Sequence, residues 1–282
     1  MKQVMKRVIG ALLTMATLAT TIAIQPTKAE AASKKVDAFD FDNASKGYVT
    51  VDYEHTNDSK RLKVGITKSG ETHYYDITSG EETNLPLTDG SGKYTATLFV
   101  QKSGNTYTVK QKETETVKIK SSTQVYLNNI SEVSWEEGGS VQKKAKQLIK
   151  GKKTTRGRAM AIYSYIVTTF KYDNSLASKV KSGKLTTYIP DTAKVLKNKK
   201  GICYDIASLY AAMCRSVGIP CKVVKGTAKT VGGVYHAWNS VYDKSTKKWI
   251  TMDLTVDMCK GKSETKYWRP VKDSQYKAQE VI

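Results

Sequence analysis

Residues 201–226 read GICYDIASLYAAMCRSVGIPCKVVKG. The middle of this stretch predicts a helix that begins at Gly201 or Ile202 and ends at Val217, where Gly218 and Pro220 stop it. CKVVKGTA follows with the length and branched residues of a strand. Cys203 falls in the first helical turn, behind a glycine and Lys197, Lys199 and Lys200. Unpaired N–H groups and the helix dipole favour negative charge at such a place, and a thiol attacks only as thiolate. Taken alone, the position is more often that of a small buried residue in a packed helix.

The segments on either side change that balance. Downstream, YHAWNSVY and WITMDLT each read as a strand, so CKVVKGTA, YHAWNSVY and WITMDLT form an antiparallel meander. His236 is the one histidine of this half of the chain. Alternation puts Val234, His236, Trp238 and Ser240 on one face, and Trp249, Thr251, Asp253 and Thr255 on one face of the next strand. Two hairpin registers are open: Tyr242 opposite Trp249, with His236 diagonal to Asp253, or Ser240 opposite Trp249, with His236 facing Asp253. Both bring imidazole and carboxylate to the same face, whereas a slip of one residue separates them. A carboxylate that orients a histidine beside a thiol is the arrangement that activates a nucleophilic cysteine. Upstream, VQKKAKQLIKG is a short amphipathic helix, and TTRGRAMAIYSYIVTTFKYD places Ala159, Ile162, Ile166 and Phe170 on one helical face. Helices followed by a meander make an α+β domain.

The remaining cysteines are Cys214, Cys221 and Cys259. Cys203 and Cys214 cannot pair on one helix, because eleven residues separate them by about 16 Å along the axis. If Cys203 is a working thiol, at most two of the others bond, and no pair follows from spacing. A zinc site is the competing use of Cys and His, but there is no CxxC pair and Cys214 lies three helical turns from Cys203.

Residues 34–120 have a different character. Short alternating segments (GYVTVDYEH, RLKVGITK, THYYDI, GKYTATLFV, TYTVKQK and ETVKIK) are separated by turn residues and predict six or seven strands. An all-β sandwich of immunoglobulin- or fibronectin-like type, acting as a spacer or binding module, fits this pattern. His55 and His73 stand isolated in it, with no metal-ligand cluster around them.

The first residues predict an exported protein. Lys2, Lys6 and Arg7 precede an uncharged run from Val8 to Ile24, and Ala29 and Ala31 occupy the small-residue positions of a cleavage site. Residues 1–31 are therefore expected to be a signal peptide, leaving a secreted, extracellular mature chain without a membrane span. From Lys34 to Lys120 there are 13 Lys/Arg against 13 Asp/Glu, whereas residues 141–200 hold 16 Lys/Arg against Asp173 and Asp191. Nucleic acid is not the expected partner, because the lysines lack interleaved stacking aromatics and no nucleic-acid module is present. Anionic cell-wall polymers suit an exported basic segment, and solvated helix faces are the plainer use of most of these lysines.

GICYDIASLYAAMCRSVGIPCKVVKG, YHAWNSVY and WITMDLT together resemble the transglutaminase-like (transglutaminase core) superfamily of papain-like thiol enzymes. The likeness extends over roughly residues 125–270 and leaves out the β-module, so a catalytic domain over 121–282 is expected to follow the β-sandwich over 34–120. It implies Cys203 as nucleophile, His236 as base and Asp253 as its orienting carboxylate, with Tyr188 and Trp238 as candidates for the substrate-cleft wall. It also implies no cofactor and no metal, and attack on a peptide or protein amide through a thioester. The acyl group then passes to water, the expected outcome, or to an amine, giving a crosslink. A non-catalytic cell-wall adhesion or scaffold protein is the alternative outside the enzymes. Cys221 stands where many relatives have a small apolar residue, which leaves open a disulfide behind the catalytic helix.

Overall fold

The structure is a computed structural model that describes residues 37–57, 59–185, 187–260 and 270–282. The expected signal peptide lies outside the described residues. The chain divides into two compact units, one ending at Ser131 and the other spanning Glu132–Ile282.

In the first unit the alternation of Val, Ile and Tyr with polar residues is realised as two antiparallel sheets. Its strands are β1 (Phe39–Asp40), β2 (Tyr48–Val51), β3 (Leu62–Lys68), β4 (Glu71–Ile77), β5 (Thr83–Pro86), β6 (Gly92–Ser103) and β7 (Thr106–Val117). One sheet has the order β1-β2-β5 and the other β4-β3-β6-β7. Val49, Val51 and Leu85 of the first sheet share a core with Leu62, Val64, Ile66, Tyr94, Ala96 and Leu98 of the second. Two details differ from the pattern reading. ETVKIK is not a strand of its own, because β7 runs through Val117 as the partner of the long β6. TNLP, unrecognised because it holds a proline, forms β5 at the edge of its sheet, where a missing N–H is tolerated.

The second unit is built around one helix. Its elements are α1 (Ser140–Ile149), α2 (Thr155–Thr169), β8 (Lys171–Tyr172), α3 (Asn174–Lys181), α4 (Thr192–Asn198), β9 (Lys200–Gly201) and α5 (Cys203–Arg215). There follow β10 (Cys221–Ala228), β11 (Val234–Asp243), β12 (Lys248–Met252), α6 (Leu254–Cys259) and β13 (Tyr276–Val281). All 13 residues of α5 are buried, as expected of a helix that is small or apolar on every side. Helices α1, α2, α4 and α6 surround it, and it packs across β10 and β11. It ends at Arg215 rather than Val217. The buried guanidinium of Arg215 donates to Cys221 O and Ile282 O, which tucks the turn into β10 beneath the helix end.

The sheet has the order β12-β11-β10-β13, antiparallel throughout. Tyr242 pairs with Trp249, the first of the two registers open to the sequence. Two corrections apply here. The third strand stops at Met252, so Asp253 and Thr255 do not continue its alternation: Asp253 caps α6 and Thr255 lies within it. The meander also gains β13 on the far side of β10. Gly226 permits that addition, since a Cβ there would stand 2.1 Å from Lys277 O.

Candidate active site

Cys203 is the first residue of α5 and is 5% exposed. Three local features hold it there. Ile202 is extended as the N-cap, and the Asp205 carboxylate reaches back to accept its N–H at 2.8 Å. Gly201 makes room for this, because a Cβ on it would lie 2.6 Å from Asp205 Cβ. The short parallel pairing of Lys171–Tyr172 with Lys200–Gly201 fixes the approach of the chain to the helix.

Tyr188, expected as a cleft wall, is half-buried and donates its hydroxyl to Asp205 Oδ1 at 2.6 Å. Burial pushes the Asp205 carboxyl above its ordinary range, against the pull of the hydrogen bonds from Tyr188 and Ile202. Tyr188 thus ties the segment before α4 to the first turn of α5.

His236 and Asp253 are both fully buried, with Nε2 2.9 Å from Asp253 Oδ2. The antiparallel ladder of β11 and β12 ends at Asn239 and Met252. His236 lies three residues before that end of the ladder, and the carboxylate meets its imidazole from the turn into α6. Asp253 Oδ1 accepts from Val256 N as the helix cap, so each of its oxygens has a separate task. Burial works against charge on the imidazole, but the Asp253 charge and hydrogen bond, helped by Cys203, raise its pKa to about 10. Burial also opposes charge on Asp253, yet His236, the Val256 N–H and the Tyr276 hydroxyl hold it below the ordinary carboxylate range. A buried pair of this kind is sound only when its hydrogen bonds are satisfied.

The other ring nitrogen, His236 Nδ1, is buried and makes no hydrogen bond of acceptable distance and angle. Cys203 is close enough to act electrostatically on the ring. The imidazole therefore has one nitrogen on the carboxylate and one available on the thiol side.

Trp238, the other expected wall residue, is 3% exposed and lies between two rings. It stacks on His236 at 6.4 Å and 20° and meets Tyr276 at 4.9 Å. In this position it braces the imidazole and offers no open wall. Asn239 donates to Ala207 O at 2.9 Å and to Lys222 O at 3.0 Å, linking sheet to helix.

Sequence reasoning missed Tyr172. Its hydroxyl is buried and unpartnered. Burial first, then the proximity of Cys203, Cys259, Asp205 and Asp173, pushes its ionisation up, so it remains a hydrogen-bond donor. Its place in the chain was legible, as FKYD closes the α2 segment, but its nearness to Cys203 depends on the pairing of β8 with β9. Tyr276 was missed as well, and it donates to Asp253 Oδ2 at 2.9 Å.

All four cysteines are free thiols. Cys214 and Cys221 are buried side by side, and burial, reinforced by Cys221, raises Cys214 well above the ordinary thiol value. Burial and the Asp253 charge push Cys259 up to about 11. No group of three or more His, Cys, Asp or Glu able to hold a metal occurs among the described residues.

Residues 142–254 match the model of the transglutaminase-like superfamily. No curated protein matches the chain. Among solved structures, a candidate cysteine protease of Cytophaga hutchinsonii is 16% identical. That match covers 84% of this chain and 76% of the other, with a TM-score of 0.45. The periplasmic domain of TgpA from Pseudomonas aeruginosa, bound to ethylmercury, is 15% identical over 74% of this chain and 71% of that one, with a TM-score of 0.34. Red sea bream transglutaminase is 10% identical over 74% and 48%, with a TM-score of 0.31. Likenesses this low carry no argument about activity or substrate.

Proposed function

Residues 142–254 are a transglutaminase-like domain, and from that premise we propose that the protein is a thiol enzyme that hydrolyses peptide or protein amides. The observation that carries the reading is the fully buried His236–Asp253 pair, whose imidazole keeps Nδ1 unpaired beside a cysteine at a helix N-terminus.

In this reading the proton of Cys203 Sγ rests on His236 Nδ1, which the Asp253 pair keeps protonated, and the thiolate attacks the carbonyl carbon of the amide. The oxygen of the tetrahedral intermediate receives hydrogen bonds from N–H groups of the first turn of α5 and from the Tyr172 hydroxyl. The C–N bond then breaks as the imidazolium passes its proton to the leaving amine, which leaves a thioester on Cys203. Water, giving its proton to His236, attacks the thioester, and the acid departs with the thiol restored. Asp253 holds the ring in the orientation that serves both transfers. Each oxyanion donor is worth about 3 kcal/mol of transition-state stabilisation.

Residues 1–31 act as a signal peptide, so the enzyme works outside the cell on envelope or extracellular peptides. The basic stretch 141–200 holds it on anionic cell-wall polymers. All of its lysines and arginines except Lys144 and Arg158 are exposed.

The test compares wild type, Cys203→Ala and Tyr172→Phe on labelled peptides, with and without a primary amine. Peptide release that Cys203→Ala abolishes and Tyr172→Phe lowers by about 100-fold supports the proposal. Incorporation of the amine would make the enzyme an acyltransferase instead. Absence of both, with iodoacetamide labelling Cys203 no faster than an ordinary thiol, would leave a scaffold protein.

A further inference from the structure

Asp253 Oδ2 accepts two hydrogen bonds. One comes from His236 Nε2 on β11 and the other from the Tyr276 hydroxyl on β13, each at 2.9 Å. Tyr276 is in turn hydrogen-bonded by Thr230 Oγ1 at 3.1 Å, and its ring packs on Trp238, the residue stacked on His236. A chain therefore runs Thr230 to Tyr276 to Asp253 to His236, across three segments that are distant in sequence.

Two donors on one carboxylate oxygen share its charge. A hydroxyl that stays protonated draws density from Oδ2, which weakens the attraction of that oxygen for the imidazolium proton. Burial and then the Asp253 charge push the Tyr276 phenol well above its ordinary value, so it remains a donor over the working range. The Thr230 bond polarises the phenol and strengthens its donation.

We propose that Tyr276 is a positioning residue that tunes the histidine: by sharing Asp253 Oδ2, it limits how firmly the carboxylate holds the imidazolium proton and keeps that proton transferable to a leaving amine. An imidazolium held too tightly is a poor general acid near neutral pH. The consequence for catalysis rests on the thiol-enzyme reading, whereas the effect on the imidazole does not.

The other groups that reach this network leave the assignment intact. Cys203 acts on His236 from α5. Cys259 of α6 is within range of Asp253 but lies above its own ordinary value, so it is neutral at pH 7. Asp257 of α6 bears on Tyr276, but its carboxylate is already bonded by Tyr163 and by Lys260 at 3.1 Å.

The experiment is a nitrogen-15 NMR titration of the full chain labelled at histidine, from about pH 6 to about pH 11. The His236 signal is assigned by its loss in a His236→Gln chain, and wild type is compared with Tyr276→Phe and Thr230→Val. The proposal expects the His236 midpoint to rise by about one pH unit in Tyr276→Phe and by less in Thr230→Val. An unmoved or lowered midpoint in Tyr276→Phe overturns it. If that variant does not fold, Thr230→Val, which keeps the tyrosine ring and its packing, decides by the same sign. Peptide release by wild type, measured alongside, separates the two readings. Release with an unmoved midpoint defeats only the tuning role, and a raised midpoint without release defeats only the enzyme.

Discussion

At the scale of the residue, Asp253 concentrates most of the chemistry. One oxygen caps α6 through Val256 N and the other serves His236 and Tyr276. The same carboxylate thus starts a helix and orients a histidine. The pair also ties stability to pH. Asp253 lies below its ordinary value when folded, so its contribution is present above about pH 4 and is lost as pH falls through the folded value. His236 is raised to about 10, so its contribution is complete below the ordinary value of about 6.5 and is lost as pH rises towards 10. The denaturation midpoint of wild type should therefore fall in acid and again from neutral to about pH 10. In Asp253→Asn both slopes should flatten when urea melts are repeated across pH, and an unchanged alkaline slope would contradict the pairing.

At the scale of the element, the helix starts of the second unit share one local signal. Thr154, Asp173, Asp191 and Asp253 each cap a helix by accepting an N–H in its first turn, a signal that a sequence displays openly. α5 was recognisable from its composition and its stop, and only its last two residues were misjudged. β13 gave no such warning, because its pairing with β10 joins residues roughly fifty positions apart and rests on Gly226. Adding a Cβ there would drive it into the backbone carbonyl of Lys277 at 2.1 Å. Neither group can swing aside, so Gly226→Ala should destabilise the protein by about 2 kcal/mol or more, as overpacking against fixed atoms does. Chemical denaturation would measure this. Because Tyr276 pairs with Ala228 two residues away, the same substitution should raise the His236 midpoint as loss of the phenol does.

At the scale of the whole molecule, charge is the property most unevenly spread. The formal net charge is +20, and residues 141–200 carry a net +14 of it, mostly at exposed positions. Among the described residues, Lys146 with Glu137 and Lys200 with Asp173 are ion pairs at exposed or half-exposed sites. Exposed pairs of this kind contribute little, and the proposed attachment to an anionic polymer rests on the field of the stretch. Retention on isolated cell wall should be strong at low salt and largely lost by about 0.5 M, where screening reaches only a few ångströms. Retention that ignored salt in a co-sedimentation assay would rule out an electrostatic attachment.

What the sequence determined by itself was local or periodic. The start of α5, the strands around His236, the two differently charged halves and the three family blocks are all properties of neighbouring residues. Tertiary structure decided the rest: which register the hairpin takes, that Asp253 leaves its strand to cap a helix, and that Trp238 braces the imidazole while Tyr188 grips Asp205. It also decided that Tyr172 and Tyr276 converge on Cys203 and Asp253 from segments far away. The reason is physical. Periodicity and caps are set by backbone geometry over a few residues, whereas a hydroxyl placed on a buried carboxylate depends on close packing of distant segments, which no short stretch of sequence encodes.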